Sequence, residues 1–116
     1  MLTIDNLITK LFENFQAFKE KAAYEADELL PYNVIGDFTL DFQRNFMSGK
    51  STLLEVNNFF DFVNQMANSE DTEVENIFIV EVLELFSDRA ETIELAREKL
   101  NDNGKKLLEK VLRGWK

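Results

Sequence analysis

Residues 69–88 read SEDTEVENIFIVEVLELFSD, and the fold class turns on them. From Ile77 to Phe86 the chain is apolar except at Glu81 and Glu84. The β-branched Ile77, Ile79, Val80 and Val82 would suit a buried strand. The acids Glu70, Asp71, Glu73 and Glu75 instead suit a helix N-terminus, where exposed N–H groups and aligned peptide dipoles favour negative charge. Ser69 or Asp71 is placed to cap it. No other segment offers a partner strand, so the stretch reads as helix. A helix apolar on nearly every side belongs at the centre of its domain.

Working outward, Thr52 followed by Glu55 is a capping-box pattern. Leu53, Val56, Phe59, Phe60, Val63, Met66 and Ala67 follow it at helical spacing. Before that, Phe38, Phe42 and Phe46 stand four apart and share a face, with Asp37 as cap and Gly49 as the left-handed residue beyond the end. Tyr32 to Gly36 reads as a connection after Pro31, which disfavours helix in the residue before it. At the N-terminus Thr3 is a candidate cap for Ile4, Leu7, Ile8, Leu11, Phe12, Phe15 and Phe18, with a break near Asn14. On the other side, Ile93, Ala96 and Leu100 form a shorter stripe, Asn101 to Gly104 a turn, and Leu107, Leu108, Val111, Leu112 and Trp115 the last helix. No repeat at a fixed period is present. The expectation is one all-α domain over residues 1–116, a compact bundle or a short α-solenoid of five to seven helices.

Composition narrows the chemistry. The chain has no Cys and no His, which removes thiolate catalysis, the commonest general base and the commonest metal ligand. A Cys-free chain suits a reducing cytosol, and a cytoplasmic location is expected. No apolar run is long enough for a transmembrane helix, and MLTIDNLITKLFENF does not read as a signal peptide. Net charge is −9, unevenly spread: residues 103–116 set five cations against Glu109, a net +4, which leaves −13 on residues 1–102. So acidic a body repels phosphate backbones and anionic lipid and attracts basic partners. Neither nucleic acid nor membrane is expected to bind. The lysines of the last helix complement its own C-terminus and nearby acids, with Trp115 as an apolar anchor.

Local signals of chemistry are few. Gly49-Lys50-Ser51-Thr52 looks like the end of a phosphate-binding loop, but Arg44 stands where the motif needs its first glycine, and a turn between helices is the expected reading. Aligning Gly104 with the sixth position of a calcium loop puts Lys99 first and Lys110 twelfth, where ammonium groups cannot ligate. Glu81 and Glu84, three apart on one helical face, could shift each other's pKa or join a metal site. The expected reading is that one faces solvent while the other reaches a helix N-terminus, Arg89 or Arg44. No catalytic residue, cofactor or metal is assigned. Phe38, Phe42, Phe46, Phe59, Phe60 and Phe62 exceed what one face of two helices hides easily, so part of that surface is expected to be an interface, with a homodimer as one form of it.

Several short segments together resemble a known family: Phe15-Gln16-Ala17-Phe18, Leu30-Pro31 leading to Ile35-Gly36-Asp37-Phe38, then Phe59-Phe60-Asp61-Phe62-Val63 and Val82-Leu83-Glu84-Leu85. Over residues 8–112 the chain is similar to small acidic bacterial proteins found among the immunity proteins of polymorphic-toxin and contact-dependent growth-inhibition systems. It departs from them at Asn64, where a glutamate is usual, and in lacking a proline before the first phenylalanine pair. The resemblance implies an antitoxin-like protein, not an enzyme, that binds a cognate toxin with a basic surface, commonly a nuclease. The alternative is a helical adaptor or regulator. Candidate partner-binding residues are Glu70, Asp71, Glu73 and Glu75 as one patch, Asp37, Asp41 and Asp61 as a second, together with Glu84.

Overall fold

In the computed structural model, which describes residues 1–114, the decisive stretch is helical and lies at the centre. Helices α1 (Leu7–Asn14) and α2 (Gln16–Ala22) form the N-terminal arm, and a 3₁₀ turn (Ala26–Glu28) leads to α3 (Pro31–Met47). Helix α4 (Leu53–Ala67) follows, and α5 spans residues 72–86. Helices α6 (Ala90–Lys99) and α7 (Asp102–Leu112) close the chain. Among the described residues there is no strand. Helix α5 packs against α3, α4 and α7, as an almost wholly apolar helix should. The radius of gyration is 13.4 Å. A compact domain of this length has about 2.2·N^0.38 Å, nearly the same figure, so the helices form a bundle and not an extended solenoid.

The middle of α5 departs from α geometry. Thr72–Phe78 is α-helical, Ile79–Leu83 is a π turn, and Glu84–Phe86 returns to α. The apolar pattern explains the use of the detour. Val74, Ile77 and Phe78 define the buried stripe, and on an uninterrupted α-helix Glu81 would fall on that same stripe, seven residues after Val74. A π turn admits an extra residue. Glu81 thereby moves to the edge, while Val82, Leu83 and Phe86 continue the core at 0% exposure. The register shift avoids burying an unpaired carboxylate, which would cost several kcal/mol, of order 2–7 even for a neutral polar group.

A cluster of phenylalanines joins the helices around α5. The rings of Phe42 and Phe59 stack at 3.9 Å, and Phe59 also meets Phe38, Phe60 and Phe86 at 5.1, 5.3 and 5.8 Å. This corrects the expectation of surplus exposed phenylalanine: Phe38, Phe42, Phe59, Phe60 and Phe62 are buried, because α3, α4 and α5 cover them from three sides, and Phe46 is half-buried. The exposed large apolar side chains are instead Met1 and leucines, chiefly Leu53 and Leu54.

Helix ends follow local chemistry where a side chain is free to act. Thr52 and Glu55 form the reciprocal capping box. Gly49 has φ +73° and turns the chain out of α3. Asn101 caps α7 through Gly104 N–H, so the expected Asn101–Gly104 turn is in fact the first turn of a helix. Two expected starts are corrected. Helix α3 begins at Pro31, not at Asp37, because proline at the first helical position lacks only an N–H that would have no partner anyway. Helix α1 begins at Leu7, and Thr3 does not cap it; its N–H is donated to Asn6 Oδ1. The break near Asn14 occurs at Phe15. The anchoring expected of Trp115 lies outside the described residues.

Candidate functional site

The candidate acids fall into three regions, of which the second and third adjoin, since Asp37 and Asp41 stand one turn apart on α3. Glu70, Asp71, Glu73 and Glu75 gather at the start of α5, and Asp71 is occupied with structure there. Its Oδ1 accepts from Glu73 N–H at 3.0 Å and its Oδ2 from Ile4 N–H at 2.8 Å. Ser69 adds a donor bond from its hydroxyl to the Leu2 carbonyl at 2.7 Å. This corner ties the N-terminal segment to α5, while Glu70 and Glu73 are exposed and Glu75 is half-buried.

The second place lies across α3 and α5. Asp37, one turn and a half into α3, accepts the Tyr24 hydroxyl proton at 2.6 Å. The Glu81 carboxylate lies against Gly36, so closely that a Cβ on Gly36 would stand 2.5 Å from Glu81 Oε1. Glycine inside a helix costs about 0.5–1 kcal/mol relative to alanine, and here it makes room for that carboxylate. Glu84 is exposed one turn further along α5. Among the described residues, Asp37, Glu81 and Glu84 take part in no ion pair. This differs from the expectation that one of the two glutamates would reach Arg89, Arg44 or a helix N-terminus, since the π turn points Glu81 at α3.

Burial pushes the Glu81 carboxyl above its ordinary value, and the charges of Glu84 and then Asp37 push it the same way. Burial and the bond to Asp37 likewise raise the Tyr24 phenol, so it remains a donor at neutral pH. For Glu81 the folded state binds its proton more tightly than the unfolded chain. Its contribution therefore favours the folded state at low pH and declines as pH rises from about 4.5 through the raised value. We expect Glu81→Gln to unfold at a higher temperature than the parent at pH 7, with the gap shrinking towards pH 4. A thermal-melt series in pH checks this, and a gap constant across pH would contradict it.

The third place gathers Asp41 and Asp61 on the rim of a channel that crosses the α1–α2 junction. A hollow of about 260 Å³ contains Asp41, Glu55, Phe15, Phe38, Phe42 and Phe59. A neighbouring hollow of about 290 Å³ contains Asp61, Phe62 and Gln65, and the two share Asn14, Phe15 and Asn58. Asp41 also receives Lys21 Nζ at 2.5 Å.

Residues 7–116 match a family described as a domain of unknown function, DUF7674. The chain belongs to the DUF7674 family. No curated protein and no solved structure matches it.

Other surfaces of this DUF7674 domain bear on the expected exclusions. The Gly49–Thr52 segment has three of its four backbone donors committed: Gly49 N–H to Phe46 O, Lys50 N–H to Asn45 O and Thr52 N–H to Glu55 Oε1. A phosphate would find none of them free. The residues of the imagined calcium loop serve helix packing instead, with Asn103 donating to the Ala67 carbonyl. Among the described residues no group of three acidic side chains is placed to hold a metal ion, and no helix is long and apolar enough to cross a membrane. Between α5 and α7 a groove of about 480 Å³ is walled by Ile79, Val80 and Val111, with Glu84 and Asp88 on its edge. On α7, Glu109 holds Arg97 at 3.0 Å and is itself held below the usual carboxyl range by that bond.

Sequence reasoning missed Tyr24, the Gly36–Glu81 contact and the channel. A glycine within a helical pattern is a sign of close approach. That sign was hidden because Tyr32–Gly36 read as a connection.

Proposed function

We propose that this DUF7674 domain binds a protein with a basic surface and, in the immunity-type role implied by the resemblance, neutralises a cytoplasmic toxin domain by covering it. One observation carries the reading: Asp37, Glu81 and Glu84 share a face and have no cation among the described residues to balance them. Like charges held together raise the energy of the free protein, and a docking cation relieves that cost. The −13 on residues 1–102 extends the attraction beyond contact distance. A nuclease-type toxin, whose cleft must attract phosphates, has the complementary surface.

The test is co-expression with the product of the gene immediately upstream, followed by purification of the pair. The expected result is rescued growth and a complex that co-elutes. In Asp37→Lys with Glu84→Lys, association should slow by about tenfold or more at low salt, with the effect fading as salt screens it. Neither rescue nor binding would sink the proposal. A second reading, a homodimeric adaptor, is favoured by Leu53 and Leu54, which are 70% and 68% exposed at the start of α4. Sedimentation of the pure chain separates the two: a dimer lost in Leu53→Lys supports the adaptor.

A further inference from the structure

We propose that the channel across the α1–α2 junction holds an extended segment of a partner protein, with an arginine or lysine side chain laid over its phenylalanine floor. This rests on the protein-binding reading and deepens it by naming how the partner is gripped.

Three features of the channel agree. Its floor is aromatic: Phe15, at the break where φ −134° and ψ 66° leave the helical region, is half-buried with its ring 4.7 Å from Phe38 and 5.8 Å from Phe62. Its rim is acidic, with Asp41, Glu55 and Asp61 and no cation lining either hollow. Lys21 pairs with Asp41 Oδ1 and Thr52 N–H donates to Glu55 Oε1, while Asp61 has no hydrogen bond or ion pair among the described residues. A guanidinium or ammonium group above phenylalanine gains from the negative ring face, and its alkyl stem packs on the same floor.

The third feature selects the extended backbone. Gln16, Asn45, Asn58 and Gln65 line the two hollows. Gln16, Asn58 and Gln65 are exposed and Asn45 is half-buried, and their side chains form no hydrogen bond among the described residues, while Asn14, which both hollows share, donates to Lys10 O. A carboxamide offers both donors and an acceptor, which suits the alternating N–H and C=O of an extended chain.

The test titrates the ¹⁵N-labelled full chain with three probes: the blocked tetrapeptide Ala-Arg-Phe-Ala, the same peptide with Glu for Arg, and blocked arginine alone. The arginine peptide is expected to move the side-chain NH₂ signals of Gln16, Asn45, Asn58 and Gln65 with a dissociation constant of order 1 mM. The glutamate peptide and blocked arginine should each bind about tenfold more weakly or less. Asn45→Ala with Asn58→Ala should weaken the peptide by a similar factor, as should Asp61→Asn, while unfolding midpoints stay put. Unmoved NH₂ signals, equal binding of the two peptides, or blocked arginine binding as well as the peptide would each overturn the proposal. Asp37→Lys with Glu84→Lys is expected to leave the peptide titration unchanged. A failed toxin pull-down with a positive titration would then count against the acidic-face reading alone, and the reverse against the channel alone.

Discussion

Phe59→Ala is expected to destabilise the protein by about 3–5 kcal/mol, the usual cost of removing a buried ring. The ring is 1% exposed and touches rings from α3, α4 and α5. The loss combines the ring's own transfer energy with a cavity that cannot collapse, because its neighbours are large planar groups already in contact. Domains of this size have about 5–15 kcal/mol in total. The urea midpoint should fall by about 2 M, given slopes of about 1–3 kcal/mol/M. Leu53→Ala on the same helix is the control, since at 70% exposure it should change stability by no more than about 0.5 kcal/mol. A loss below about 1.5 kcal/mol at Phe59 would show that the core repacks and that the stacked cluster is not its keystone.

Asn64→Leu is expected to cost about 2–4 kcal/mol, from lost hydrogen bonds and the unpaired groups left behind. Asn64 holds the α6–α7 junction to α4. Its Nδ2 donates to Lys99 O at 3.2 Å, its Oδ1 accepts from Asn101 N–H at 3.0 Å, and its backbone carbonyl accepts from Asn101 Nδ2 at 3.2 Å. Leucine has the same branching and number of side-chain heavy atoms but bulkier ends, so it fills the site while one donor and one acceptor vanish. Asn64→Glu keeps an acceptor but sets a carboxylate beside the Lys99 carbonyl, and should also destabilise. Hydrogen exchange should localise the damage: faster at Leu100 and Asn101, unchanged in α3. Uniform exchange across the chain would contradict a local clasp.

Exposed acids announce themselves in a sequence, but their grouping does not: Asp41 and Asp61 line two neighbouring hollows, and Asp37, expected in one patch with them, lines neither. Asp71 shows the limit. Its acid-rich surroundings look like a docking patch, yet its two oxygens hold Glu73 N–H and, from the far end of the chain, Ile4 N–H. No local pattern reveals a bond across 67 residues.

Helix identity came from one-dimensional order because burying a face requires apolar residues at a fixed period, and capping requires particular side chains within one turn. Thr52 with Glu55, Gly49 and the apolar run of α5 all obey such short-range rules. Where two helices meet, the outcome rests on both at once. Glu81 sits at the edge of the core because α3 offers a glycine opposite it and because α5 widens into a π turn. Each adjustment is unfavourable or neutral alone, and only the packed bundle makes the pair favourable. Contact chemistry of that kind has no period along the chain.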